Sequence, residues 1–168
     1  MKRRLRDVQF VDSAHGWACG DHGTILRTED GGATWFSVES GLQCCLESIS
    51  FVDDRHGWIA GGYELPGSGR RCGVILFTSD GGQSWSRLDT ESLPWLHRIK
   101  IVDGRDGFAI GDVSTLHRSG VFITRDGGSQ LVDAQWRRSD GLARRRHFGP
   151  NEFQLGWRSN GSASLHGR

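Results

Sequence analysis

The sequence is poor in proline, has a single tyrosine and shows no paired cysteine motif. Only 3 of its 168 residues are proline, whereas 25 are glycine, and this composition favours many tight turns over a disordered chain. The four cysteines, Cys19, Cys44, Cys45 and Cys72, include no CxxC spacing, so they predict neither a metal site nor a redox pair. A chain of this length is expected to form one domain with a substantial core.

Several motifs and segments are also missing. No apolar run approaches the roughly 18 residues of a membrane-spanning helix. No apolar segment follows the basic residues at the start of the chain, so no export signal is predicted and a cytoplasmic location is expected. The sequence has no Walker loop, no GxSxG and no HExxH. It therefore predicts no cofactor and no catalytic metal.

Charge is distributed unevenly along the chain. The net charge is +1, but residues 137–168 contain seven arginines and two acidic residues, which leaves the preceding residues mildly acidic. The segment 137–168 also lacks apolar alternation, so we predict a basic, disordered tail. The acidic body argues against a nucleic-acid-binding protein, and the arginines of the tail are typical of a solvated end.

The rest of the sequence repeats three times. The segments LRDVQFVD (5–12), LESISFVD (46–53) and LHRIKIVD (96–103) have the same pattern of apolar and polar positions. Alternation with a period of two predicts half-buried β-strands. Second strands follow at HGWACGD (15–21), HGWIAGG (56–62) and DGFAIGD (106–112). Third strands follow at GTILRT (23–28), GVILFT (73–78) and SGVFIT (119–124).

Each third strand leads into an Asp-Gly-Gly loop, which is a hairpin signal because glycine adopts positive φ without a Cβ clash. The loop reads TEDGGATW (28–35), then TSDGGQSW (78–85), whereas the third copy, TRDGG, loses the hydroxyl residue and the tryptophan. We expect each aspartate to tie down its own hairpin, with help from the hydroxyl residues. The residues with this predicted structural role are Thr28, Asp30, Gly31, Gly32, Thr34, Trp35, Thr78, Asp80, Gly81, Gly82, Ser84, Trp85, Thr124, Asp126, Gly127 and Gly128.

A fourth strand is expected after the loop, at residues 35–38 in the first copy and 85–88 in the second. Four short strands that repeat every 40–50 residues are typical of β-propeller blades. We predict an all-β domain over residues 5–136, with blades at about 5–45, 46–95 and 96–136. Three blades are fewer than the roughly four to eight that close a propeller. The sequence therefore predicts an incomplete propeller, either a fragment or a chain that self-associates through its open blade faces. A frame-shifted product that does not fold stably is a further interpretation.

The loop pattern [S/T]-x-D-x-G-x-[T/S]-W resembles the Asp-box of bacterial neuraminidase repeats. The longer string F-V-D…H-G-W…G-x-I-L-x-T-x-D-G-G-x-[T/S]-W resembles the photosystem II stability/assembly factor group of propellers. This resemblance covers about residues 5–136. It implies a non-catalytic module that binds another protein, in the manner of a factor that assists assembly of a membrane complex.

Other repeated residues are expected to pack or turn rather than react. His15 and His56 occupy equivalent positions of different blades, so they favour polar turn residues over a metal pair. Trp17, Trp58 and Phe108 are predicted to pack between blades. Cys19 aligns with Ala60 and Ile110, which predicts a small buried thiol.

The alternative function is that of a sialidase-like or other Asp-box glycoside hydrolase. A sialidase requires an arginine cluster and a Tyr–Glu nucleophile pair. The single tyrosine, Tyr63, is followed directly by Glu64, and adjacent residues of a strand tend to point apart. The segment His97-Arg98-Ile99-Lys100 lacks the proline of a sialidase Arg-Ile-Pro segment. We therefore predict no catalytic residues.

Binding residues are expected where the blades differ most. The connection between the second and third strands is short in the first copy, but spans residues 62–72 in the second and 112–118 in the third. Loops on a rigid repeat scaffold carry recognition without cost to the core. The predicted protein-binding residues are Tyr63, Glu64, Arg70, Arg71, Leu116, His117 and Arg118.

Overall fold

A computed structural model of the chain describes residues 3–89 and 92–134. Among these residues the structure has twelve β-strands and one short 3₁₀ turn, Asp21–Gly23. The strands form three antiparallel sheets of four, each a meander in sequence order. The predicted all-β blades are therefore confirmed. The predicted tail, residues 137–168, lies outside the described residues.

The strands of the first sheet are β1 Leu5–Phe10, β2 Gly16–Gly20, β3 Thr24–Thr28 and β4 Phe36–Glu39. The second sheet contains β5 Cys45–Phe51, β6 Gly57–Glu64, β7 Arg71–Thr78 and β8 Ser86–Arg87. The third contains β9 Leu96–Ile101, β10 Gly107–Gly111, β11 Val121–Thr124 and β12 Val132–Asp133. We refer to these sheets as blades one, two and three.

The long connection predicted in blade two is mostly strand. Strands β6 and β7 continue to pair through Tyr63 with Cys72 and through Glu64 with Arg71. Only residues 65–70 form the turn, which is closed by a hydrogen bond from the Leu65 amide to the Arg70 carbonyl at 2.8 Å. Continued pairing satisfies backbone groups that a loop would leave to water. Three of the predicted binding residues thus belong to a hairpin rather than to a loop.

Blade three keeps its fourth strand although its sequence pattern decays. Val132 and Asp133 pair with Ile123 and Phe122, and the Ala134 amide donates to the Val121 carbonyl at 2.8 Å. Strand pairing depends on backbone hydrogen bonds, so it persists where the hydroxyl residue and the tryptophan of the motif are absent.

Two apolar cores lie between neighbouring blades. The first contains Trp17, Cys19 and Ile25 of blade one with Leu46, Ile49, Phe51, Ile59, Val74 and Leu76 of blade two. The second contains Trp58, Ala60 and Ile75 of blade two with Leu96, Ile99, Ile101, Ala109 and Phe122 of blade three. Blade two thus packs one face, its leading face, on blade one and the other, its trailing face, on blade three. We use the same two names for the equivalent faces of blades one and three.

The predicted aromatic packing is confirmed at two of its three positions. Trp17 and Trp58 are buried, with 1% and 2% of their surface exposed. Phe108 is 51% exposed, so its predicted packing between blades is wrong. It lies on the trailing face of blade three, where no further blade among the described residues covers it. Cys19 is fully buried, as predicted, and this burial raises the pKa of its thiol.

Candidate functional site

The Asp-Gly-Gly loop of blade one is closed by its own side chains. Asp30 Oδ1 accepts hydrogen bonds from the Thr28 hydroxyl and the Thr34 amide, both at 2.8 Å. Asp30 Oδ2 accepts from the Thr34 hydroxyl at 2.6 Å. The Gly32 amide donates to Thr28 Oγ1 at 3.0 Å. The aspartate and the two threonines therefore fix the hairpin without any partner outside the loop.

Blade two repeats this geometry, and blade three keeps part of it. Asp80 accepts from the Thr78 and Ser84 hydroxyls at 2.7 and 2.6 Å. Asp126 accepts from the Thr124 hydroxyl at 2.9 Å and from the Gln130 amide at 2.9 Å. Because Gln130 stands at the hydroxyl position, the bond that Thr34 and Ser84 make to the second carboxylate oxygen has no equivalent there.

These bonds stabilise the charged form of two of the carboxylates. The hydroxyl and amide of Thr34, with the Thr28 hydroxyl, lower the pKa of Asp30 to about 2. The hydroxyl and amide of Ser84 likewise lower the pKa of Asp80 to about 2. Each aspartate is bound within its own blade. Across residues 3–89 and 92–134, no three His, Cys, Asp or Glu side chains come together in an arrangement that suits a metal ion.

Indole groups link the loops of blades two and three to the preceding blade. Trp17 Nε1 donates to the Gly81 carbonyl at 2.9 Å, and Trp58 Nε1 donates to the Gly127 carbonyl at 2.7 Å. Gly82 adopts φ +77°, and a Cβ there would lie 2.7 Å from Trp17 Nε1. Glycine is therefore required both by the turn and by the approach of the indole. The Asp-Gly-Gly loops of blades two and three therefore also bind the tryptophan of the preceding blade.

The HGW histidines lie in polar turns, as predicted. These turns lie beside the Asp-Gly-Gly loops, where the Gly31 amide donates to the Ala14 carbonyl and the Gly81 amide to the Arg55 carbonyl, both at 2.9 Å, and we call this end of the blades the Asp-Gly-Gly end. Asp12 Oδ1 accepts from the Ala14 and His15 amides at 2.7 Å, and Asp12 Oδ2 lies 2.8 Å from His15 Nδ1. The His15 amide and ring, with the Ala14 amide, lower the pKa of Asp12 to about 2. Asp53 and His56 form the equivalent turn in blade two.

The opposite end of the blades has a different character. We call it the connection end, because the second and third strands of each blade are joined there. A cleft of about 320 Å³ opens there between blades one and two. The side chains that give this cleft its chemistry are Arg6, Asp21, Cys45, Tyr63, Glu64 and Trp95.

An ionic network crosses the blades at this cleft. Arg6 Nε donates to Asp21 Oδ1 at 2.8 Å, and Arg6 Nη1 donates to Glu47 Oε2 at 3.1 Å. Trp95 Nε1 donates to Glu47 Oε1 at 3.3 Å. The hydrogen bond from Arg6 is the main cause of the lowered pKa of Asp21. The network places a cation, two carboxylates and an indole at one opening.

A second cluster lies between blades two and three. The Arg71 guanidinium stacks on the Trp95 ring, 4.3 Å from its centroid, and Arg71 Nη1 lies 2.7 Å from Asp112 Oδ2. His97 Nε2 lies 2.7 Å from Asp112 Oδ1. Trp95 belongs to both groups, so it joins the cleft to this cluster.

The predicted binding residues are only partly brought together. Tyr63 and Glu64 line the cleft, and Arg71 belongs to the second cluster. Arg70 is exposed on the turn of the β6–β7 hairpin. His117 and Arg118 lie near β11 and β12 instead: the His117 ring packs edge-on to Phe122, and the Arg118 amide donates to Asp133 at 3.2 Å. Leu116 is 71% exposed.

Tyr63 is not paired with a carboxylate in the way a sialidase nucleophile would be. Its hydroxyl accepts a hydrogen bond from Arg87 Nη2 at 3.3 Å, and the Arg87 guanidinium lies 5.5 Å from the Tyr63 ring centroid. Glu64 is the next residue of the same strand. A sialidase-like hydrolase would need a carboxylate that acts as a base on this tyrosine. The Tyr63 hydroxyl contacts an arginine instead.

Sequence reasoning missed Arg6, Glu47, Trp95, His97 and Asp112. One signal was present: Arg6, Glu47 and His97 occupy the same position of the three repeats and are all polar. Equivalent positions lie at the same end of successive blades, so three ionisable side chains there indicate a polar rim. Trp95 directly precedes β9 and carried no repeat signal.

The sequence and the structure are both similar to known assembly factors. A family model described as "Photosynthesis system II assembly factor YCF48" matches residues 1–95. A curated relative, "Photosystem II assembly protein Ycf48" of Thermosynechococcus vestitus, is 45% identical over 31 residues, which are 18% of this chain and 9% of the relative.

Two solved structures extend the similarity to the fold. "YCF48 bound to D1 peptide" has a TM-score of 0.61 and 30% identity, over 77% of this chain and 39% of that one. "YCF48 from Cyanidioschyzon merolae" has a TM-score of 0.53 and 25% identity, over 77% of this chain and 36% of that one. The chain thus spans well under half of the length of each relative. Because the family model matches more than half of its residues, the chain belongs to the YCF48 photosystem II assembly factor family.

Proposed function

We propose that the chain is a non-catalytic propeller module that holds a peptide segment of another protein at its connection end, in the manner of a photosystem II assembly factor. The observation that carries this proposal is the similarity to the solved structure of YCF48 bound to D1 peptide. That similarity extends over 77% of the chain at 30% identity. A peptide of the same kind is the proposed ligand.

The chemistry of the cleft supports peptide binding. Tyr63 and Trp95 offer flat apolar surfaces with a polar group at the edge, and such residues are enriched where proteins bind proteins. Arg6, Asp21 and Glu64 supply charges of both signs around them. An extended peptide presents backbone amides and carbonyls along with its side chains, so donors and acceptors beside aromatic rings suit it.

The hydrogen bonds at the Asp-Gly-Gly end support a structural role for Asp30 and Asp80. Asp30 and Asp80 already accept several hydrogen bonds inside their own loops. Lowered pKa values keep them ionised, whereas a general acid needs a pKa near the working pH. These features favour a scaffold over an active site.

The test is direct titration of a fluorescently labelled D1 peptide with the full chain, followed by anisotropy. Arg71→Ala removes the stacked guanidinium beside the cleft, and Tyr63→Ala removes the ring that lines it. Each is expected to weaken binding by about tenfold or more, as loss of an aromatic or arginine anchor does. Arg55→Ala is the matched control, because Arg55 is an exposed arginine of the same blade at the Asp-Gly-Gly end.

A hairpin variant sharpens this test. Replacing residues 65–70 with Asn-Gly preserves the Glu64–Arg71 pair, since a two-residue turn closes an antiparallel ladder. If the turn itself carries the contact, this variant binds weakly. If only the paired strands do, it binds like the wild type. Full binding by both Arg71→Ala and Tyr63→Ala would refute the assignment of the connection end, and no binding by the wild type would refute the proposed ligand.

A further inference from the structure

One position of the repeat differs in blade two, where the second strand reaches the connection end. Blades one and three have Asp21 and Asp112 at this position. Each aspartate contacts the second residue of the first strand of its own blade: Arg6 Nε donates to Asp21 Oδ1 at 2.8 Å, and His97 Nε2 lies 2.7 Å from Asp112 Oδ1. Blade two has Gly62 instead, so it offers no side chain for such a contact.

The Trp95 indole occupies the space above Gly62. A Cβ atom on Gly62 would lie 2.6 Å from Trp95 Cδ2 and 2.8 Å from the Cys72 carbonyl oxygen, whereas carbon atoms in good contact are about 3.5–4.0 Å apart. Gly62 is a paired residue of strand β6 rather than a turn residue. Glycine is therefore required here by the crowding above it, foremost by the indole ring.

The backbone that carries this indole is attached to two blades. The Gly73 amide of blade two donates to the Leu93 carbonyl at 2.7 Å, and the Asp112 amide of blade three donates to the Trp95 carbonyl at 2.8 Å. A methyl group on Gly62 would therefore displace the ring rather than the chain that carries it.

The indole contacts a charged group on each of two sides. Its Nε1 donates to Glu47 Oε1 at 3.3 Å, and the Arg71 guanidinium lies 4.3 Å from its centroid. We propose that Trp95, placed over Gly62, is the positioning residue of the peptide site. It fixes the orientations of Glu47 and Arg71, so peptide affinity depends on the absence of a side chain at position 62. This inference rests on the proposed function and names a residue that prepares that site.

The orientation of Arg71 matters because of its flexibility. An arginine loses rotamer freedom when it binds a ligand, and it loses less if it is already held in place. Arg71 is held by the Trp95 ring and by Asp112, with 46% of its side-chain surface exposed. Without the ring only the exposed ion pair would remain, and such pairs are weak. Displacement of the indole should therefore release Arg71 and weaken peptide binding.

Gly62→Ala in the full chain tests the inference through two measurements. Without peptide, the NMR signal of Trp95 Nε1 should move from its wild-type position, while that of Trp35 Nε1, at the Asp-Gly-Gly end, should stay in place. Anisotropy with a fluorescently labelled D1 peptide should show binding weakened about tenfold, as for the loss of an arginine anchor. Circular dichroism should show an unchanged fold.

A double variant separates an effect through Trp95 from a general disturbance of blade two. Trp95→Leu removes the ring but keeps an apolar side chain, and it should weaken peptide binding about tenfold by itself. In the Trp95→Leu background, Gly62→Ala should weaken binding no further, because no ring remains to be displaced. Trp95→Phe can still stack on Arg71 but has no N–H for Glu47, so its affinity should lie between those of Trp95→Leu and the wild type.

Each outcome bears on the inference. It is overturned if Gly62→Ala binds like the wild type, if the Trp95 signal does not move, or if Gly62→Ala weakens binding equally with and without the ring. Should Gly62→Ala fail to fold, wild-type affinity of Trp95→Leu would overturn it. If the wild type binds no D1 peptide, the proposed function fails. The peptide-free Arg71 Nε signal then decides whether Gly62 and Trp95 position Arg71, since it should move in Gly62→Ala and an unmoved signal would contradict the inference.

Discussion

The two ends of the blades differ in how their polar residues are satisfied. At the Asp-Gly-Gly end, Asp30 and Asp80 bond only within their own loops, and the same geometry recurs from blade to blade. At the connection end, Arg6 bonds to Glu47 and Arg71 to Asp112, each across a blade boundary. Repetition at one end indicates a scaffold, and variation at the other indicates where recognition can differ.

The largest loss of stability is expected when the Trp17 indole, which links blade one to the loop of blade two, is removed. Trp17 is buried, stacks on Phe51 and donates to the Gly81 carbonyl. Trp17→Ala should lower the free energy of unfolding by about 3–5 kcal/mol, because it leaves a cavity and an unpaired carbonyl. Urea unfolding followed by fluorescence measures this loss. Arg105→Ala, an exposed residue of blade three, is the control and should change little.

The second largest loss of stability is expected at low pH, which should destabilise the Asp-Gly-Gly end. The folded-state pKa of Asp30 and of Asp80 is about 2, below the ordinary 3.8. The unfolded chain therefore binds protons first as the pH falls, so the stabilisation is present above pH 3.8 and is lost as the pH falls toward 2. Urea midpoints measured between neutral pH and pH 2 should show this decline. Asp30→Asn should make the decline shallower, and an identical decline would contradict the account.

A smaller effect separates the complete loop of blade two from the incomplete loop of blade three. Ser84 donates to the second carboxylate oxygen of Asp80 at 2.6 Å, and Gln130 occupies the equivalent position in blade three. Ser84→Ala should cost about 1 kcal/mol of unfolding free energy, the usual value of one hydrogen bond. Gln130→Thr should supply the missing hydroxyl and raise stability by a similar or smaller amount. Thermal unfolding measures both, and a destabilising Gln130→Thr would argue against equivalent loops.

The smallest effect on stability is expected at the connection end. Arg71 pairs with Asp112 at 2.7 Å and stacks on Trp95, but both partners are partly exposed. Exposed ion pairs and cation–π contacts contribute about 1 kcal/mol or less. Arg71→Ala should thus keep the fold, with an unfolding free energy within about 1 kcal/mol of wild type, while it weakens peptide binding. A large loss of stability would make this residue part of the scaffold.

The sequence predicts the parts of the fold that local chemistry and the repeat determine. Alternation at Leu5, Val8 and Phe10 predicted a first strand, and glycines after Asp30 and Asp80 predicted the hairpin loops. These features depend on a few consecutive residues, so they can be recognised without a structure.

The errors arise where the environment is set by distant residues. Phe108 matches Trp17 and Trp58 in the repeat, but burial requires a neighbouring blade, and the described residues provide none for Phe108. The connection of blade two is longer than that of the other two blades, which predicted a loop, yet Tyr63 and Cys72 continue the ladder.

The candidate site was only partly predictable for the same reason. Trp95 reaches Glu47, a residue 48 positions earlier, through the packing of two blades. No local sequence pattern predicts such a contact. Tyr63, Glu64 and Arg71 were predicted as binding residues because the blades differ in length there. The residues that they contact can be identified only once the blades are packed side by side.

The most direct test of the account is to follow the indole N–H signals of the isotopically labelled chain by NMR while the D1 peptide is added. Trp95 Nε1 reports on the connection end through Glu47, and Trp35 Nε1 reports on the Asp-Gly-Gly end through the Gly32 carbonyl. We expect the Trp95 signal to shift with a saturable dependence on peptide, while the Trp35 signal stays in place. A shift of Trp35 with Trp95 unmoved would place recognition at the Asp-Gly-Gly end and contradict the account.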